Sequence, residues 1–476
     1  MKLQKSFSII ALLFFVFILA SNTFAETVDV SNIQEVAAVE NTEEHALPNP
    51  IMVLPFIILL GMIATGPLFY HHFWEKQYPK IAIVLGLITA SYYLFTLGDT
   101  HTLLHTAAEY ISFIALLASL FVASGSILIK VDKKSTPMLN TGLLLFGSVI
   151  ANVIGTTGAS MLLIRPFIMI NRDRIKAYHV IFFIFMVSNI GGALTPIGDP
   201  PLFLGFLRGV DFFWFISNIW YIWLPTILLV AVIFYVFDSR DKSGANTEKD
   251  YTGKIEIKGL KNLFYLGAIL VAVFIDPKVM SWVPSLAPLP FGIREIIQLS
   301  IVYFAYKTAD RDILKANEFD FEPIKEVAYL FVGIFATMIP ALQLIAHEAK
   351  VFGESLDAGV FYWATGILSG FLDNAPTFLN FFSAEMGKFY LDVNLVADVK
   401  TFQELHPLYL QAISVAAVFF GAMTYIGNGP NFMVKSICER AGIKMPSFFA
   451  YLVKYSIPIL IPIFILVWLV FYYGQG

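Results

Sequence analysis

The stretch Thr195-Pro196-Ile197-Gly198-Asp199-Pro200-Pro201-Leu202-Phe203 interrupts an otherwise apolar segment, and the chain returns to it as Thr424-Tyr425-Ile426-Gly427-Asn428-Gly429-Pro430-Asn431-Phe432. Thr, Ile, Gly, one Pro and Phe recur in register, and Asp199 corresponds to Asn428. Proline removes an amide donor and clashes with the preceding turn, so each stretch breaks a helix. Two interrupted helices at matching places in two halves point to a midplane site between inverted repeats.

The surroundings require a membrane. Hydrophobic residues make up 58% of the chain and charged residues 14%, against about a quarter charged in soluble domains. The apolar residues gather in runs of roughly 20, the length that crosses a bilayer as helix, and lack the short alternating segments of a barrel. The expected fold is an all-α polytopic membrane protein of two inverted repeats, about ten spanning helices and two re-entrant hairpins. The lone Cys438 excludes a disulfide framework and a thiolate metal cluster.

Charge sets the expected topology. Lys2 and Lys5, the apolar run Phe7 to Leu19 and Thr23-Phe24-Ala25 read as a signal peptide, 1–25, the rival reading being an uncleaved signal anchor. An acidic extracytoplasmic leader, 26–49, follows without Lys or Arg. The first repeat, 50–237, has helices 51–70, 80–98 and 107–129. It continues with a hairpin, 139–170, folded at Asn152-Val153-Ile154-Gly155-Thr156-Thr157, then a broken helix, 178–207, and a return, 218–237. Lys130, Lys133, Lys134, Arg172, Arg174 and Lys176 flank both ends of the hairpin, so it must enter and leave on one side. A cytoplasmic linker, 238–261, precedes the second repeat, 262–476. That repeat has helices 262–275, 291–306 and 326–346, a hairpin 358–390 turning at Asp373-Asn374-Ala375-Pro376-Thr377, a broken helix 407–434 and a last helix 449–473. The positive-inside rule puts the chain in the inner membrane with both mature termini outside.

Broken helices expose amides that attract anions and carbonyls that attract cations. Asn152, Thr156, Thr157 and Ser160, with Asn374 and Thr377, add oxygens suited to sodium. Asp199 and Asp373 are the proton-carrying candidates, because a carboxylate at membrane depth costs about 3 kcal/mol and desolvation there lets a proton compete with sodium. Each could instead cap the helix that follows it. His101, His105 and Glu109 share one helical face, but outer-loop spacing of this kind arises readily, so no transition-metal site is expected. Arg165, before Pro166, reads as an interfacial side chain.

Ser188-Asn189-Ile190-Gly191-Gly192, the Thr195–Pro201 stretch and Leu372-Asp373-Asn374-Ala375-Pro376-Thr377 resemble the ion transporter superfamily. That group includes divalent-anion/sodium symporters, citrate transporters, arsenite carriers and NhaD-type sodium/proton antiporters. The resemblance covers the chain from about residue 51. It implies a homodimer whose site draws on Asn152, Thr156, Thr157, Ser188, Asn189, Thr195 and Asp199 in one half. The other half would contribute Asp373, Asn374, Thr377, Thr424, Gly427, Asn428 and Asn431. The chain lacks the Ser-Asn-Thr triplets of dicarboxylate carriers at its hairpin tips, and has Ala151 where arsenite carriers place Asp before Asn.

The resulting expectation is sodium/proton antiport, coupled through Na+ and H+ with no cofactor. The alternative is sodium-coupled transport of citrate or another carboxylate, and an ion channel is a third class. A membrane enzyme is remote, since no nucleophile–base pairing, zinc-protease motif or phosphate loop stands out. Nucleic acid is excluded as a partner because basic residues follow topology rather than forming a stripe.

Overall fold

The computed structural model describes residues 47–241, 251–277, 279–280, 282–286, 289–352 and 356–475. The expected signal peptide and nearly all of the acidic leader therefore lie outside the described residues. The first repeat opens with α1 (Leu54–Phe69), α2 (His71–Tyr92), which widens through Leu97, and α3 (Thr100–Gly125). Helix α3 begins earlier than expected because the Asp99 carboxylate accepts from the Thr102 amide at 2.9 Å and hydroxyl at 2.6 Å. That cap turns most of the anticipated 99–106 loop into helix.

Helix α4 (Pro137–Ile170) doubles back on itself. Gly155, at φ 76° and ψ 154°, breaks it. Asn140 and Asn171 exchange amide hydrogen bonds of 2.8 and 2.9 Å, although a straight helix would hold them about 46 Å apart. Next come α5 (Ala177–Met186), the first break, α6 (Pro200–Arg208) and α7 (Trp214–Arg240). The second half runs α8 (Lys261–Val273), α9 (Ile293–Thr308), α10 (Arg311–Ala316) and α11 (Glu322–Phe352). Helices α12 (Ala358–Ser369) and α13 (Asn374–Lys388) form the second hairpin, whose base is closed by Lys388 Nζ donating to the Leu356 carbonyl. Then follow α14 (Val396–Leu405), α15 (Pro407–Phe420), the second break, α16 (Gly429–Arg440) and α17 (Phe448–Phe471).

Among the described residues six helices are long and apolar enough to cross a membrane, or up to seven counting α14 with α15 as one bent span. One of the six is the folded α4, while several expected crossings are assembled from shorter apolar pieces such as Ala177–Gly192, Lys261–Val273 and Ala358–Ser369. The chain is therefore a multi-pass all-α membrane protein whose interruptions hide its crossings from a length criterion. Helix α14, unforeseen as a separate element, turns 97° into α15.

Two short strands complete the fold: β1 (Leu128–Val131) pairs antiparallel with β2 (Ile255–Lys258), so part of the polar linker is structured. Next to β1, the Thr252 amide and hydroxyl hold the Asp132 carboxyl below the usual carboxylate range.

Helix α7 relates the hairpins to the two faces of the protein. Near its C-terminus Asp238 accepts from Asn140 at 2.9 Å, at the base of the first hairpin. At its start Trp214 Nε1 donates to the Gln403 carbonyl at 3.2 Å, next to the base of the second. These residues are about 36 Å apart along the helix. The hairpins consequently enter from opposite faces, with arms of α12 and α13 too short to span alone.

Candidate functional site

The two hairpin tips and two breaks converge on Asp199. Gly155 supplies the first turn: its positive φ suits glycine, and a β-carbon there would press to 3.2 Å from the Ile197 carbonyl. The Thr156 amide then donates to the Gly198 carbonyl at 2.8 Å, docking the tip on the break. Inside the breaks, a β-carbon on Gly198 would collide with the Gly192 carbonyl. One on Gly427 would lie 2.7 Å from the Gly421 carbonyl. The repeated glycines are thus explained by the same close backbone crossing in both halves.

Asp199 precedes α6, but its side chain makes no cap. Oδ1 instead accepts from the Thr156 hydroxyl at 2.7 Å and Asn428 Nδ2 at 3.0 Å, while Oδ2 accepts from Asn374 Nδ2. Both hairpins and the opposite break therefore hold one carboxylate. Asn428 also donates to the Ser188 carbonyl at 3.2 Å and Asn189 Oδ1 at 3.3 Å. Asn189 donates to Asn431 Oδ1 at 2.6 Å, and Asn431 donates to the Gly421 and Thr424 carbonyls, each at 2.8 Å. Ser188 and Ser160 hydroxyls meet at 2.8 Å. Thr156, Ser188, Asn189, Asp199, Asn374, Asn428 and Asn431 are all buried. Asn374 Oδ1 has no hydrogen-bond partner.

The other expected site residues surround this network. Asn152 Nδ2 donates to the Gly191 carbonyl at 2.6 Å, its Oδ1 accepts from Leu194 N at 2.8 Å, and Thr195 Oγ1 donates to its backbone carbonyl at 2.6 Å. This pair braces the tip against the break. Thr424 Oγ1 accepts from the Ile426 and Gly427 amides, at 3.2 and 3.1 Å, and shapes its own turn. Asp373, half-buried, accepts from the Ala375 amide at 3.0 Å and caps α13, and Thr377 donates to its carbonyl at 2.9 Å. Thr157 lines a cavity of about 10 Å³ with Gly155, Ile197 and Asp199, room for about one water-sized probe.

The breaks also require partners from outside the motifs. Trp223 Nε1 donates to the Ile190 and Gly191 carbonyls at 2.9 and 3.2 Å, and the Tyr451 hydroxyl donates to the Ala422 carbonyl at 2.9 Å. An aromatic donor on the second helix after each break, α7 and α17, was the available signal. Near α3, Arg208 engages Glu109 through Nε–Oε1 at 2.5 Å and Nη2–Oε2 at 2.8 Å, with His105 Nδ1 at 3.9 Å. Among the described residues no group of three His, Cys, Asp or Glu side chains could hold a metal. Arg165 pairs with Glu318 at 3.6 Å.

Oppositely based hairpins meeting at two unwound helices inside a multi-pass bundle define a membrane transporter. The chain matches, over residues 45–472, the family described as putative citrate transport, and it belongs to that family. It is similar to an uncharacterized transporter of Mycobacterium bovis, 27% identical over 322 residues covering 65% of this chain and 71% of the relative. It is also similar to an uncharacterized transporter of Mycobacterium tuberculosis, 24% identical over 403 residues covering 80% of this chain and 83% of the relative.

Proposed function

We propose that this transporter exchanges sodium for protons, with Asp199 as the group that takes each in turn. One observation carries the reading: a buried carboxylate is held only by neutral donors, contributed by both halves. Among the described residues no Lys or Arg forms an ion pair with it, although buried carboxylates ordinarily require a compensating charge. A proton or a dehydrated sodium ion supplies that charge, but the two compete for the same oxygens. The small adjoining cavity and the free Asn374 Oδ1 favour a small cation over a bulky anion. Binding sodium displaces one proton, and the reverse step restores it.

On this reading the face bearing Lys130, Lys133, Lys134, Arg172, Arg174 and Lys176 is cytoplasmic, the membrane is the inner one, and the protein works as a homodimer. The test is purified protein in vesicles with an imposed sodium gradient and a trapped pH dye. Sodium-dependent proton movement without organic solute is expected.

The family description favours a second reading, sodium-coupled citrate transport, with the helix starts at Asn374 of α13 and Gly429 of α16 attracting the carboxylates. Labelled citrate accumulating with sodium, and no proton movement in its absence, would replace the first reading by this one.

A further inference from the structure

Helix α13 carries another buried carboxylate without an ion pair, away from the midplane. Glu385 is fully buried, and neither of its carboxyl oxygens has a hydrogen-bond partner. The Tyr472 hydroxyl, within electrostatic reach of Glu385, is equally buried and equally without a partner. A carboxylate removed from water without compensation is strongly unfavourable, so the position calls for a bound proton or cation. The helical repeat places Glu385 on nearly the same bearing as Asn374, about three turns and roughly 16 Å further along α13. The groove between them is filled by aromatic residues, Phe378 buried and Phe381 half-buried, so Glu385 belongs to the base of the second hairpin rather than to the Asp199 site.

The groups that face it are few. On its own helix Lys388 lies within electrostatic reach of Glu385 but forms no hydrogen bond with it, its ammonium bonding instead to the Leu356 carbonyl and, at 2.8 Å, the Tyr409 hydroxyl. From α12, Tyr362 stacks its ring 5.0 Å from that of Tyr472 and donates its hydroxyl to the Phe464 carbonyl at 3.1 Å. Tyr221 of α7 also acts on Tyr472. Helix α11 packs on the opposite side of α13, through Leu342 against Ser383 and Ala346 against Gly387, so His347 and Glu348 do not face Glu385.

We propose that the Glu385 carboxyl and the Tyr472 hydroxyl form a second proton-binding site at the base of the second hairpin. A proton from the water at that face adds to the carboxylate to give a neutral acid, and returns to water when the site empties. Tyr472 is not hydrogen-bonded to either oxygen, so its hydroxyl acts on the site through its dipole. The transport consequence rests on the antiport reading above, whereas the protonation itself does not.

Two measurements on the purified full chain keep these separate. In infrared spectra, a protonated carboxyl band should be absent from Glu385→Gln and shifted in Tyr472→Phe. If Glu385→Gln removes no such band, the proton site does not exist. In vesicles, Glu385→Gln should keep exchange of labelled sodium for unlabelled sodium while sodium-driven proton movement falls about tenfold. Unchanged proton movement in a variant that has lost the band would overturn its part in transport. Absence of proton movement in the wild type, with the band present, would count against the antiport reading alone.

Discussion

Asp199 and Asn428 stand at the same place in the two repeats, yet one accepts where the other donates. Each precedes the helix that follows its break, and neither caps it. Asp199 turns toward both hairpin tips, and Asn428 reaches across to Asp199, Ser188 and Asn189. Two aspartates there would repel, and two asparagines would leave no charge to balance a cation. Divergence at a single position thus converts a symmetric frame into a site with one charge. The hairpin tips diverge likewise: Gly155 makes the first turn by backbone conformation alone, and Asp373 makes the second by a side-chain cap.

That comparison can be broken in four ways. Asp199→Asn should lower sodium-coupled flux roughly 100-fold, equivalent to about 2.8 kcal/mol, with the protein still eluting as wild type on size exclusion. Wild-type flux would return Asp199 to a structural role. Asn428→Asp should set two carboxylates in one site and cut flux about tenfold near neutral pH. Combining it with Asp199→Asn should recover part of the loss if the two positions are interchangeable, and none if the hairpins tell them apart. Gly155→Ala should destabilise the protein by about 1–3 kcal/mol, because φ 76° with ψ 154° is a conformation essentially open to glycine alone; thermal unfolding in detergent reads this. Asp373→Ala should cost about 1 kcal/mol as a lost cap, and Asp373→Asn should be close to neutral because Asn caps equally well. A flux collapse in Asp373→Asn would instead make it a second ion-carrying group.

The breaks were legible because proline and glycine cluster there: Pro196, Pro200 and Pro201 fall close to Gly191, Gly192 and Gly198, whereas single prolines such as Pro79, Pro225 and Pro340 sit inside continuous helices. The doubled-back α4 was legible from charge, since Lys134 and Arg172 must share a side. Register between the hairpins was not. Matching Asn152 with Asn374 pairs Ala151 with Asp373, but the turns themselves pair Gly155 with Asp373, and it is Thr156 and Asn374 that both bond to Asp199. One turn of one helix separates these alignments, and only tertiary packing chooses between them. The cap at Asp99, the strand pair β1–β2 and the bend before α15 likewise depend on partners remote in sequence or on a single side-chain rotamer. Glu385 escaped notice because a lone carboxylate in an apolar run says nothing about whether a cation faces it.

Helix α7 reaches from the Asp238–Asn140 contact at one face to the Gln403 contact at the other, and Trp223 grips the first break between them. A strut anchored at three levels cannot tilt freely to suit the lipid around it. Vesicles made from shorter or longer acyl chains would therefore load the break directly through the indole, and the exchange rate should peak at one hydrocarbon thickness and fall on either side.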